Sequence, residues 1–135
     1  MTRKDEITAF LAREFPQMKC TILAVGGGRA TVRHEVGFAE LRPGGTVAGP
    51  VLMTVADVAL YVAILGEIGN VAMAVTTSLN FNFLRRPAAD AAVIGKCTLL
   101  KLGHTLATGE VSLYSEGSDE IVAHAVGTYA LPRTA

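Results

Sequence analysis

A chain of 135 residues is long enough to bury one core and too short for two of comparable size, so one domain over residues 1–135 is expected. Half of the residues are hydrophobic and only 18% are charged, which leaves more apolar surface than a small monomer can expose and favours a homo-oligomer. Twelve basic and twelve acidic side chains cancel without a block of like charge, so neither nucleic acid nor an anionic membrane is an expected partner.

Cys20 and Cys97 stand far apart, with neither metal-ligand spacing nor the density of a disulfide scaffold. The opening Met1-Thr2-Arg3-Lys4-Asp5-Glu6 is charged and no apolar signal core follows, so a cytoplasmic location is expected. Thr2 with Asp5 gives a capping-box-like start, and Ile7, Phe10, Leu11 and Phe15 recur at helical spacing up to Pro16. Residues 19–25 and 29–36 are β-rich runs joined by Gly26-Gly27-Gly28, a hairpin signal. The triple glycine is read as a turn rather than a phosphate loop, because no Lys-Ser/Thr pair follows it and the next element is a strand.

Residues 37–49 read as a loop around Pro43-Gly44-Gly45. Gly49-Pro50 then opens a helix to about Gly66, with Pro50 in the first turn where its missing N–H costs nothing. Apolar residues cover every face of this helix, so it is expected to be enclosed. Its apolar run, 51–65, is interrupted by Asp57 and falls short of the roughly 20 residues that cross a bilayer. Beyond Gly69-Asn70 the pattern is β throughout, over 71–83, 91–102, 105–115 and 120–131. Turns at Arg86-Pro87, Gly103 and Glu116-Gly117-Ser118-Asp119 predict consecutive antiparallel hairpins. One buried helix and one long antiparallel sheet make an α+β layout in which the sheet wraps the helix.

Asp57 is the residue out of place. It sits in mid-helix among Met53, Val58, Leu60, Tyr61 and Ile64, and an unpartnered buried carboxylate costs several kcal/mol. Such an acid is either satisfied structurally, here by Tyr61 or a backbone N–H at a subunit seam, or placed at an opening for chemistry. Gly49, at the start of the same helix, offers a backbone that a ligand can approach closely. The unpaired N–H groups and positive dipole end there suit an oxyanion. The two residues lie about 12 Å apart along one helix axis, too far to act on one carbonyl within a subunit. Two antiparallel copies would set Gly49 of one chain against Asp57 of the other and join their sheets along the strand over 71–83.

Three stretches carry a resemblance covering residues 41–131: Gly45-Thr46-Val47-Ala48-Gly49-Pro50 with Asp57, Leu79-Asn80-Phe81-Asn82-Phe83-Leu84-Arg85-Arg86-Pro87, and Gly103-His104-Thr105-Leu106-Ala107. With them the chain resembles the phenylacetate-pathway (PaaI-type) branch of hot-dog-fold acyl-CoA thioesterases. The resemblance implies a hot-dog fold and hydrolysis of an acyl-CoA. The Gly49 amide would be the oxyanion donor, Asp57 of the neighbouring subunit the nucleophile or general base, and Thr76, beside Thr77, an orienting residue for water. Three departures stand out: Arg42 replaces the usual loop Asn, Ala48 the usual His and Pro50 the usual second Gly. These three, together with Tyr61, Thr77 and Asn80, are candidate substrate-binding positions. CoA phosphates would find Arg85, Arg86, Lys101 and His104 at strand ends and turns.

His34 and His124, in alternating strands, read as packed or surface histidines. No cofactor is expected, no Cys/His/Asp cluster indicates a metal, and Gly-x-Ser-x-Gly is absent. The rival readings are a non-catalytic acyl-CoA- or lipid-binding hot-dog protein and a hot-dog dehydratase or hydratase. The expected assembly is a dimer or a dimer of dimers, the latter through apolar outer sheet faces.

Overall fold

The first helix starts where the sequence places its cap. The Asp5 amide donates to the Thr2 hydroxyl (3.1 Å) and the Thr2 amide to the Asp5 carboxylate (3.2 Å), opening α1 (Arg3–Glu14). Ile7, Phe10 and Leu11 of α1 are buried, and Arg3 donates to the carbonyl of Leu65, tying this helix to the next. The computed structural model describes residues 2–132.

Strands β1 (Thr21–Gly26) and β2 (Arg29–His34) form the expected hairpin. Gly26, Gly27 and Gly28 turn it at φ of 139°, 62° and 74°, the half of φ space that other residues avoid. The expected loop over 37–49 has structure of its own: a 3₁₀ turn, Phe38–Glu40, and a short hairpin of β3 (Leu41–Arg42) and β4 (Thr46–Val47). Glu40 holds it, since its carboxylate accepts from the Gly37 amide (2.7 Å) and its carbonyl from the Ala48 amide (2.8 Å). These bonds fix where the second helix begins.

That helix, α2 (Gly49–Ile68), has 20 residues, longer at both ends than its apolar run. By length and composition alone it reaches the span of a bilayer, where the sequence run fell short. Its buried side chains, including Leu52, Val55, Leu60, Ile64 and Leu65, instead make it the core helix of the fold. Enclosure is incomplete: Pro50, Met53 and Thr54 are exposed and Asp57 and Tyr61 half-buried. Val58, Leu60 and Ile64, expected around Asp57, turn into the core. Leu60 sits in a notch made by Gly109 and Gly127, which face each other across neighbouring strands. A Cβ at either glycine would lie 2.7 Å from a Leu60 methyl, overpacking that costs about 1–3 kcal/mol.

The remaining strands are β5 (Val75–Phe83), β6 (Val93–Leu102), β7 (Leu106–Ser115) and β8 (Ile121–Ala130). With β1 and β2 they form a six-stranded antiparallel sheet in the order β1-β2-β6-β7-β8-β5, curled around α2. Two of the expected hairpins form, β6–β7 and β7–β8, but the one predicted at Arg86-Pro87 does not. β5 pairs with β8 and β6 with β2. The linking segment, 84–92, crosses the ends of the intervening strands: the Leu84 and Arg85 amides donate to the Val122 carbonyl, and the Ala88 amide to the Ser115 hydroxyl. Its partners, not its turn residues, decide the path.

β5 is therefore a sheet edge with unpaired backbone groups, flanked by exposed Met53, Met73, Val75, Phe83 and Leu84. The outer sheet face mixes apolar residues, Ile94, Tyr114 and Val126 among them, with polar ones. Strand register puts Lys96, Thr98, Glu110, Ser112 and His124 there, and the His124–Glu110 pair at 3.5 Å is on the same face.

Candidate active site

Asp57 lies on the open face of α2, where β5 and β8 bring two hydroxyls to it. Thr76 donates to Oδ1 at 2.6 Å, and Tyr129 donates to the same oxygen at 2.8 Å and to the Asp57 carbonyl at 3.1 Å. Among the described residues Oδ2 has no hydrogen-bond partner, so one carboxylate oxygen is anchored and the other is free. Thr76 reaches Asp57 because the β5–β8 register slips between Thr76 and Ser78, a bulge that re-aims the strand. The bulge sends Thr77 elsewhere, and its hydroxyl donates to the Thr128 carbonyl (3.1 Å).

Tyr129 is the residue that sequence reading missed. Its position in the β8 alternation marks it only as a core side chain; the signal was a hydroxyl on an inward position, which needs a polar partner when buried. It is 4% exposed and its ring stacks on Tyr61, with centroids 5.9 Å apart. Burial, and after it the charge of Asp57, pushes the Tyr129 hydroxyl well above the ordinary tyrosine range, so it stays a protonated donor. Tyr61 is not the partner of Asp57: its hydroxyl donates to the carbonyls of Val71 (3.3 Å) and Ala72 (3.4 Å).

Two cavities adjoin Asp57. One, of about 280 Å³, runs toward α1 and is lined by Phe15, Tyr61, Ala74, Val75, Thr76 and Tyr129, with Glu14 at its α1 side. The other, toward the β5 edge, is lined by Pro50, Met53, Thr54, Thr76 and Leu79. Gly49 opens α2 with an amide that has no intrahelical acceptor, and Ala48, the N-cap, makes no side-chain cap bond. A side chain at Gly49 would meet the Phe83 ring at 3.3 Å. Gly49, Arg42, Phe83, Arg85 and Arg86 line a separate cavity of about 430 Å³. Arg85 also pairs with Glu120 and donates to the Ile121 carbonyl (3.2 Å).

The other candidates lie apart within one chain. Lys101 and His104 flank the β6–β7 turn, at the end of the sheet opposite Arg85 and Arg86, and Asn80 alternates onto the sheet face turned away from α2. Burial pushes the thiols of Cys20 and Cys97 up to about 12, so neither is an activated nucleophile. Among the described residues no three His, Cys, Asp or Glu side chains gather into a metal site.

A curled antiparallel sheet around one apolar helix is the hot-dog fold. The family model of the Thioesterase superfamily matches residues 44–122, more than half of the chain, and the chain belongs to that family. It is similar to a proposed thioesterase from Silicibacter sp. TM1040, with 42% identity, 96% of this chain and 91% of that one covered, and a TM-score of 0.89. It is also similar to a variant of the phenylacetic acid degradation protein PaaI from Thermus thermophilus, with 28% identity, 88% and 96% coverage and a TM-score of 0.74. Zebrafish thioesterase superfamily member 2, at 19% identity with 98% and 100% coverage and a TM-score of 0.84, shares the fold. No match is found among curated proteins. The protein is a thioester hydrolase of PaaI type.

Proposed function

We propose that the enzyme hydrolyses acyl-CoA thioesters in a cleft between two copies of the chain, with Asp57 from one and the Gly49 amide from the other. The observation that carries this reading is the half-anchored carboxylate: Thr76 and Tyr129 hold Oδ1, Oδ2 has no partner among the described residues, and Asp57 lines two cavities. A carboxylate held this way is oriented for proton transfer or attack without losing its reactive oxygen.

As general base, Oδ2 takes a proton from water while the water oxygen bonds to the thioester carbon. The charge that develops on the carbonyl oxygen is met by the partner's helix-start amide, the CoA sulfur leaves as the C–S bond breaks, and the proton returns from Asp57 to that sulfur. As nucleophile, Asp57 would instead attack the thioester carbon and expel the CoA sulfur as the C–S bond breaks, and water would then open the mixed anhydride to the free acid and the Asp57 carboxylate. Arg85 and Arg86, beside Gly49, are suited to the CoA phosphates.

The two-chain arrangement is supported by the free edge of β5 with its exposed apolar flank, and by the helical distance between Asp57 and Gly49. The test is CoA release from a panel of short, medium, long and aromatic acyl-CoA substrates. Turnover of at least one is expected; none across the panel overturns the reading.

A second measurement addresses the anchoring. Tyr129→Phe keeps the ring stacked on Tyr61 and removes only the donor, so kcat should fall by about tenfold or more with KM little changed. The same change made beside Asp57→Asn should cost no further rate, because the carboxylate that Tyr129 orients no longer takes part in the chemistry. A loss in KM alone would place Tyr129 in substrate binding instead.

A further inference from the structure

Phe15 ends α1 with a pinned backbone: its amide donates to the Leu11 carbonyl (2.7 Å) and its carbonyl accepts from the Met18 amide (3.1 Å). Its half-buried ring packs against the core. Phe15 lines three cavities. The first is the cavity of about 280 Å³ beside Asp57. The second, also about 280 Å³, lies between α1 and β1 and is walled by Leu11, Ala12, Pro16, Met18 and Ile22. The third, about 410 Å³, is walled in part by Lys19, His34 and Glu40. Phe15 is the residue that the Asp57 cavity shares with each of the other two.

We propose that Phe15 is a specificity-determining residue, a wall that ends the acyl cavity beside Asp57, restricts the enzyme to short or compact acyl groups, and closes off an apolar groove behind it. This rests on the reading that the acyl group lies beside Asp57. An alkyl tail gains from burial in proportion to the apolar area it hides, and once the cavity is full, further methylenes gain nothing because the ring blocks the way. Of the two spaces behind the ring, the α1–β1 groove is walled mainly by apolar side chains, with only the uncharged Thr8, Cys20 and Thr21 among them. The other presents an ammonium, a carboxylate and an imidazole, groups that an alkyl chain would strip of water without replacing their hydrogen bonds. Phe15 contacts no reacting atom, so its effect is on which chain is accepted and not on the chemical step.

Binding of S-alkyl-CoA thioethers, which cannot be hydrolysed, is measured by calorimetry from butyl to dodecyl for the wild-type protein, Phe15→Leu and Phe15→Ala. The kcat/KM series from butyryl- to lauroyl-CoA is recorded in parallel, and melting curves identify the folded variants. Wild-type affinity is expected to level off with chain length. In Phe15→Ala the dodecyl-to-butyl affinity ratio should rise about tenfold or more, with Phe15→Leu in between. Wild-type affinity that climbs through dodecyl, or an unchanged ratio in the variants, overturns the proposal; if the alanine variant does not fold, the leucine variant decides. A shifted binding series together with hydrolysis that survives Asp57→Asn would support the wall and count against the catalytic reading.

Discussion

Asp57→Asn should lower acyl-CoA hydrolysis by about 10²–10⁴-fold while leaving the fold and assembly as they are. Asparagine has the shape of aspartate, and its side-chain oxygen can accept the same two hydroxyls, from Thr76 and Tyr129, that now hold Oδ1. What changes is the other position, where a free carboxylate oxygen becomes an amide that can neither take a proton from water nor attack a carbonyl. The expected result is a protein with an unchanged melting temperature and elution volume whose kcat has collapsed across the acyl-CoA panel. Hydrolysis at the wild-type rate in that variant would remove Asp57 from the chemistry and leave its two hydroxyl partners as structural ties.

Much of this architecture could be read from residue order, because the signals are local ones. The capping pair Thr2 and Asp5, the triple glycine at the first turn and the all-round apolar helix each follow from what neighbouring residues do to the backbone. Partner choice in the sheet is not local. Arg86-Pro87 looks like a hairpin turn, yet the segment is drawn across the sheet by the carbonyl of Val122 and the hydroxyl of Ser115, groups that lie far along the chain. The site divides the same way. A carboxylate in an apolar helix marks Asp57 at once, whereas the anchoring of Oδ1 depends on a bulge in β5 and on the inward face of β8. Neither is visible until β5 and β8 are known to be neighbours. Phe15 shows the limit from the other side: helical spacing marks it as a core residue, and only the cavities around its ring give it a second meaning.

The two-chain site makes a prediction with an outcome that no single-chain site can produce. Gly49→Val puts a branched side chain against the Phe83 ring and over the helix-start amide, so it should abolish oxyanion binding; Asp57→Asn abolishes the carboxylate's role. Each variant alone is expected to be nearly inactive, with losses of about 10²-fold or more. When equal amounts are mixed and allowed to exchange subunits, about half of the dimers become mixed. In each mixed dimer one cleft gathers both substitutions while the other combines an intact Asp57 with an intact Gly49. Activity should therefore recover to about a quarter of the wild-type value, rising with the time course of exchange, although both parent preparations are dead. If each chain carried its own complete site, every chain in the mixture would hold one lesion and no activity would return. Recovery in the mixture therefore decides whether a thioester is gripped by one copy of the chain or by two.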